Sequence, residues 1–159
     1  MRNILKATIA VASFLAALAT AASSAAGSEV PMKLRDTGSA AIVAASGPVV
    51  HTEDTGVGEA THLGRYTLAA TQDINLATGA VTNGSFTLTA ANGDTVRGTY
   101  SGQALPGLVG YTVSGPITGG TGRFAGATGF LVWRGTVDPA ALTFTDEITG
   151  TISAVGNLD

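Results

Sequence analysis

The chain contains no cysteine, and its charged residues make up only 12% of 159 residues. Without cysteine the fold has no disulfide, no thiolate metal ligand and no cysteine nucleophile. It also lacks the cysteine that carries the lipid of a lipoprotein, so no lipid anchor is expected. Eight basic against 11 acidic residues give a net charge of −3, which disfavours nucleic acid or an anionic membrane as a partner. The fold must therefore be held by an apolar core.

Long hydrophobic runs are also missing, except for one near the N-terminus. Two basic residues precede the apolar run ATIAVASFLAALA, and small residues follow it. This order is typical of a signal peptide, and the run is shorter than the roughly 18 to 20 residues of a membrane span. Cleavage after Ala21 or after Ala26 fits the small-x-small rule, and the second is preferred. We therefore expect a signal peptide over 1–26, a secreted or periplasmic domain over 27–159, and no membrane span.

From Pro31 onward the chain is rich in Thr, Gly, Val and Ala, with a turn signal about every ten residues and no helical period. Residues 65–76 alternate between apolar and polar side chains, as a strand with one buried face does. Further strands are expected near 31–36, 40–45 and 49–57, and the total reaches seven or eight. The predicted fold is all-β, a single small antiparallel barrel of about eight strands.

A hairpin is predicted over 84–102, around Asn92-Gly93-Asp94. Residues that face each other across a hairpin share a face, so the apolar positions fix the register. A three-residue loop over 92–94 would place Phe86 opposite Tyr100 and keep both side chains buried. We expect that loop.

Glycine is abundant, with 22 copies, and it is densest in GGTGRFAG (119–126). Glycines that precede a helix can hold a phosphate, but this spacing does not match G-x-G-x-x-G, and strand-forming residues follow. The segment is therefore interpreted as a tight corner of the barrel, where the chain needs positive φ and close backbone packing. The predicted structural turn residues are Gly119, Gly120, Gly122 and Gly126.

The same segment carries a family resemblance. ITGGTGRFAGATGF (117–130) resembles the Gly-Gly-x-Gly-x-Phe signature shared by allene oxide cyclases and dirigent proteins. THLGRYTL (61–68) and ANGDTVRGTYSG (91–102) resemble strands of bacterial secreted proteins with the allene-oxide-cyclase-like barrel. The resemblance implies an eight-stranded antiparallel barrel whose lumen can hold a small apolar molecule, often in a homotrimer. Enzymes of these families steer cyclisation or coupling without a cofactor, but no catalytic residue carries over to this sequence.

Asp146 is the polar residue most clearly placed on an apolar face, between Phe144 and Ile148 in the strand 142–152. A lone buried carboxylate must be paired or must shift toward its protonated form. A three-residue loop over 139–141 would place Arg134 directly opposite Asp146, which would give an inward ion pair. Because both faces of the strand that contains Arg134 are apolar, an outward Arg134 is the alternative.

His62 and Gln72 share the parity of Tyr66, which predicts His62 near the barrel mouth and Gln72 inside, provided that Gly64 introduces no bulge. No histidine spacing suggests zinc, so neither a metal nor another cofactor is expected. The predicted lumen residues are His62, Tyr66, Gln72, Tyr100, Tyr111, Arg134 and Asp146.

Three functions remain open at this point. The barrel could bind a small hydrophobic molecule in its lumen. It could be a cofactor-independent cyclase or isomerase, in which Arg134, Asp146 or a lumen tyrosine stabilises charge or moves a proton. It could also be a packed structural or interaction protein that works through its acidic outer face. An interior cavity of a few hundred Å³ would favour the first two.

Overall fold

The computed structural model describes residues 28–153, and the predicted signal peptide lies outside the described residues. The strands are β1 (Glu29–Ser46), β2 (Val49–Ala60), β3 (Gly64–Asn75), β4 (Ala80–Ala90), β5 (Thr95–Ala104), β6 (Gly110–Gly120), β7 (Gly129–Asp138) and β8 (Thr143–Ser153). Each strand pairs antiparallel with the next, and β8 pairs with β1, so the sheet closes on itself. The predicted all-β antiparallel barrel is thus confirmed. Among the described residues there is no helix with the length and apolarity that a membrane span requires.

The N-terminal part of the barrel corrects one prediction, because the segments expected at 31–36 and 40–45 form the single strand β1. The apparent break at Gly38 is a close approach and not a turn. A Cβ atom on Gly38 would collide with the Thr55 carbonyl oxygen and the Phe144 ring, so only glycine fits there. The strand is interrupted only by a register shift between Ile42 and Ala44.

The two ends of the barrel differ. The closed end carries the loops 61–63, 91–94 and 121–128, and the short 3₁₀ turn Gly122–Phe124 buries the Phe124 ring there. Large apolar side chains fill the barrel below it, namely Met32, Leu88, Val96, Leu131, Ile148 and Ile152. The open end carries the connections 47–48, 76–79, 105–109 and 139–142. Within the barrel formed by residues 28–153, the larger interior space therefore lies at the open end.

The register predicted for the hairpin of β4 and β5 is wrong by two residues. Phe86 pairs with Gly98 and not with Tyr100. The three-residue loop is 91–93, closed by a backbone hydrogen bond of 2.8 Å from Ala90 N to Asp94 O. Gly93 takes the third loop position with φ of +90°, a conformation that suits glycine. Because the shift is even, Phe86 and Tyr100 still point inward.

The register predicted for the hairpin of β7 and β8 is wrong by one residue. The loop has four residues, because Asp138 pairs with Thr143. The Asp138 carboxylate accepts the N–H groups of Ala140 and Ala141 at 2.9 and 3.2 Å, and this holds the turn. Leu142, with φ of +52°, takes the left-handed position. An odd shift exchanges the faces, so the residue opposite Asp146 is glycine and not arginine.

That glycine, Gly135, makes room for polar groups inside the barrel. A Cβ atom on Gly135 would collide with Asp146 Oδ1 and the Tyr111 ring. We expect Gly135→Ala to destabilise the protein by about 1–3 kcal/mol, because overpacking forces shifts in a filled interior. Urea denaturation measures this, and Thr136→Ala on the outer face of the same strand is the control, expected within about 0.5 kcal/mol of wild type. Equal losses for both variants would contradict the proposed packing.

Candidate functional site

The open end contains a cavity of about 250 Å³, called here the mouth cavity. Its walls are mostly aliphatic and aromatic, and its polar groups are few. The lining residues are Ala40, Ile42, Val50, Thr52, Asp54, Gln72, Ile74, Leu76, Ala104, Leu108, Gly110, Tyr111, Val137, Pro139, Leu142, Thr143 and Phe144. An apolar cavity with a few placed polar groups is the usual form of a small-molecule site.

The rim of the mouth cavity is apolar too. Large hydrophobic side chains that are exposed to solvent concentrate at this end of the barrel: Ile42, Val43, Leu76, Leu105, Val109 and Leu142. Scattered exposed apolar residues are normal, but a ring of them around one opening marks a contact site. The apolar surface therefore continues from the cavity wall to the outside.

The polar lining is concentrated on β2 and β3. Asp54 and Thr52 occupy consecutive inward positions of β2, and Gln72 lies across from them on β3. Gln72 Nε2 donates to Asp54 Oδ2 at 2.9 Å. Asp54 Oδ1 and Thr52 Oγ1 are buried, and within residues 28–153 neither has a hydrogen-bond partner. Such groups cost stability unless something satisfies them.

Deeper in the barrel the space narrows to a gap of about 20 Å³. Phe86, Tyr100 and Trp133 pack there, with the Phe86 and Trp133 ring centroids 4.9 Å apart. The gap adjoins the mouth cavity, because both are lined by Asp54, Gln72, Tyr111 and Phe144. A gap of this size holds about one water molecule. It therefore cannot hold a substrate.

Two carboxyl groups face each other inside the barrel, because Asp36 on β1 pairs directly with Asp146 on β8. Tyr66 donates its hydroxyl to Asp36 Oδ2 at 2.7 Å. The Tyr111 hydroxyl lies 2.7 and 2.8 Å from the two Asp146 oxygens. Each acid thus has its own phenol donor, and both acids are buried.

Burial raises the pKa of both acids, since charge is poorly solvated there. The pKa of Asp146 rises to about 7, and the charges of Asp36 and Asp54 add to the effect of burial, while the Tyr111 hydrogen bond opposes it. The hydrogen bond from the Tyr66 hydroxyl opposes the rise in the pKa of Asp36. Asp36 Oδ1 is buried and has no hydrogen-bond partner among the described residues.

The pKa of Asp54 is raised for a simpler reason. Burial raises its pKa to about 6, and the nearby Thr52 hydroxyl partly offsets this, although the two side chains do not reach hydrogen-bond geometry. At neutral pH Asp54 is therefore mostly ionised, although it lies in an apolar environment. Asp54 lines the mouth cavity, whereas Asp146 does not.

Most of the predicted lumen residues lie inside the barrel. Tyr66, Gln72 and Tyr100 are buried, and Tyr111 is partly buried. Of these, only Gln72 and Tyr111 line the mouth cavity. Asp146 also points inward, as predicted.

The positions predicted for Arg134 and His62 are wrong, because neither side chain lies in the lumen. Arg134 lies on the outer face of β7, paired in register with Glu147, so the predicted ion pair with Asp146 does not form. The cause is the four-residue loop described above. His62 is exposed in the loop 61–63 at the closed end, far from the mouth, and its Nε2 lies 3.1 Å from the Pro31 carbonyl oxygen. Its φ of +70° belongs to that turn, which ends the alternation that placed it inside.

The predicted turn glycines lie in and beside the loop at the closed end. Gly119, Gly122 and Gly126 have positive φ, and a side chain on Gly120 would meet the backbone of Phe124. Arg123 of the same segment donates from Nε to Asp94 Oδ2 at 2.9 Å. The glycine-rich segment therefore closes the barrel and takes no part in the mouth cavity.

Asp36, Thr52 and Asp54 are not among the lumen residues predicted from the sequence. A signal for them was present: Met32, Leu34 and Asp36 alternate on β1, and Val50, Thr52 and Asp54 alternate on β2. In each strand a polar residue follows at the next position of the inward-facing set. Treating these positions as inward would have identified all three residues.

The Tyr66 hydroxyl is expected to stabilise the acid pair. Tyr66→Phe leaves Asp36 without a donor on Oδ2, and the free energy of unfolding should fall by about 1.5–3 kcal/mol at pH 8. The loss should be smaller at pH 4, where the acid can take a proton instead. Tyr100→Phe is the control, because the Tyr100 hydroxyl donates only to the Thr71 carbonyl at 3.3 Å. If both variants lose the same stability at both pH values, the acid pair does not depend on Tyr66.

The fold and the site together describe a closed barrel with an apolar cavity that opens at one end. Buried acids lie below that cavity. No protein-family model matches the chain, and the comparison with curated proteins finds no match. In the described range there is no group of three histidine, cysteine or acidic residues arranged to hold a metal ion.

Proposed function

We propose that this protein is an exported barrel that binds a small, mostly apolar molecule in the mouth cavity. The observation that carries the proposal is the cavity itself: about 250 Å³, walled by apolar side chains and open at one end. A cavity of about 150 Å³ can hold benzene, so this one suits a molecule of about two fused rings. The apolar rim gives such a molecule a continuous path to the interior.

The resemblance to the allene-oxide-cyclase-like barrels supports the same function, since it implies a lumen for an apolar ligand. We also keep its further implication, a homotrimer, as a prediction that a mass measurement in solution by light scattering tests. The expected site of action is outside the cytoplasm, in keeping with the predicted signal peptide.

Binding is a better proposal than cyclisation or isomerisation for a structural reason. Asp146, the favoured acid of the enzymatic hypothesis, does not line the mouth cavity; it borders a gap of about 20 Å³ and is hydrogen-bonded by Tyr111. Arg134, the second candidate, lies on the outer face. Neither residue lines the mouth cavity, and Tyr111, the lumen tyrosine that does, has its hydroxyl hydrogen-bonded to Asp146.

The test is a titration of the purified protein with 1-naphthalenemethanol, a neutral two-ring probe, followed by isothermal calorimetry. We expect saturable binding with one probe per chain and a negative heat-capacity change, the mark of buried apolar surface. Mass spectrometry of an organic extract of the protein, purified from its source, should also release one small molecule. Non-saturable probe uptake and an empty extract would overturn the proposal.

A further inference from the structure

Three polar side chains of the mouth cavity, Thr52, Asp54 and Gln72, lie together on β2 and β3, and two of their atoms are unpartnered. Asp54 is 7% exposed and Thr52 is 4% exposed, so both are more than nine-tenths buried. Asp54 Oδ1 and Thr52 Oγ1 have no hydrogen-bond partner in the described part of the chain. Both residues line the cavity, which makes them available to a molecule bound there.

The Asp54 carboxylate also has no counter-ion. Among the described residues that line the mouth cavity there is no lysine, arginine or histidine. The four pairs of oppositely ionisable side chains in the described part of the chain do not line the cavity: Arg35 with Glu147, His51 with Asp73, Arg65 with Glu59, and Arg123 with Asp94. Gln72 supplies one neutral donor to Asp54 Oδ2, and that leaves Oδ1 free to accept.

A buried carboxylate of this kind is costly, because both its charge and its free oxygen are desolvated. A cationic N–H donor satisfies both needs at once, and hydrogen bonds between charged partners are the strong ones. A carboxylate or phosphate on the ligand would instead be repelled by Asp54. Asp54 and Thr52 therefore favour a ligand with a cationic polar group, while the apolar walls favour a hydrocarbon body.

We infer that the ligand of the mouth cavity is an apolar amine, with its ammonium group held by Asp54 Oδ1 and Thr52 Oγ1 and its hydrocarbon body against the cavity walls. This inference rests on the proposed function and adds the chemical class of the ligand. It also excludes fatty acids and other apolar anions as the preferred ligands.

The test compares three probes with one two-ring body: 1-naphthylmethylamine, 1-naphthalenemethanol and 1-naphthoate. At pH 7.5 the amine should bind wild-type protein at least about tenfold more tightly than the alcohol, and the naphthoate should bind most weakly. This ranking needs no variant. Equal affinities for the amine and the alcohol would overturn the inference but leave the proposed function standing, whereas no binding of any probe would overturn both.

Variants then test whether the preference for the amine comes from Asp54 and Thr52. Asp54→Asn should lower the affinity for the amine about tenfold or more and change the affinity for the alcohol by less than about threefold. Glu53→Gln is the matched control, since it removes the same charge from the exposed face of β2, one residue away. Thr52→Val should weaken amine binding by a smaller factor. An amine affinity that falls equally in Asp54→Asn and Glu53→Gln would overturn the assignment to Asp54.

Discussion

Ala40→Trp should lower the affinity for 1-naphthalenemethanol by at least about 30-fold, equivalent to about 2 kcal/mol. Ala40 lines the mouth cavity on β1, near the open end. An indole group placed there would occupy much of a 250 Å³ space, and the rim around it is open enough for the fold to accept the larger side chain. Calorimetric titration of the variant measures the loss.

Ala41→Trp provides the control for this result. Ala41 is the next residue on the same strand and is exposed on the outer face, so an indole there adds the same surface without entering the barrel. It should bind the probe as wild type does. If neither substitution changes binding, the probe occupies another place on the molecule, and the mouth cavity is not the site.

The second large effect concerns pH: the free energy of unfolding should fall as pH rises from about 4 to about 7. In the folded state burial raises the pKa of Asp36, Asp54 and Asp146, so the folded protein binds more protons than the unfolded chain in this window. Stability then decreases with pH. For Asp54 alone, the rise from 3.8 to about 6 corresponds to about 3 kcal/mol.

Two partly buried acids on the outer side of the barrel oppose this trend, but in a different pH range. Hydrogen bonds from Asn83 and Arg123 lower the pKa of Asp73 and Asp94 respectively, so their stabilising effect is lost only below about pH 4. Their contribution therefore does not overlap with the window of the buried acids.

Asp54→Asn isolates one part of the effect. We expect the variant to be more stable than wild type by up to about 3 kcal/mol at pH 8 and to match it at pH 4, as measured by urea denaturation at each pH. The comparison cancels every titrating group that both proteins share. A variant less stable than wild type at pH 8 would mean that Asp54 is better satisfied in the folded protein than its unpartnered oxygen implies. Together with the expected loss of amine binding, the gain would identify Asp54 as a group kept for function at the expense of stability.

Strand alternation predicted much of the fold and part of the site. The alternation over 65–76 correctly predicted that Tyr66 and Gln72 point inward. The apolar neighbours of Asp146 correctly predicted the same for that acid. These predictions succeeded because a strand with one buried face fixes the direction of every side chain along it. The barrel itself followed from the number and spacing of such strands.

Loop lengths set the limit of this reasoning. Arg134 was placed opposite Asp146 by assuming a three-residue loop, and the one extra residue in the loop moved it to the outer face. The alternation of side chains within β7 could not reveal the error, because both faces of that strand carry apolar residues. His62 was misplaced for a related reason: the turn at 61–63 separates it from the alternation of β3. A loop that differs by one residue reverses every side chain beyond it, and alternation within one strand does not contain that information.

The cavity could not be predicted from the pattern at all. Its existence depends on which end of the barrel is filled, and Phe124 with its glycine-rich turn fills only one of them. Alternation gives the direction of a side chain but not the space that remains between side chains from eight strands.

The most direct test of the central claim is an NMR titration of the methyl groups with 1-naphthylmethylamine. The account predicts intermolecular NOEs and shift changes at the mouth residues Ile74, Val137 and Leu142, with none at Leu88, Ile148 and Ile152 near the closed end. Asp54→Asn should require about tenfold more probe to give the same shift changes, and Glu53→Gln should leave the titration unchanged. NOEs at the closed end or on the outer face, with the mouth methyl groups unchanged, would contradict the account.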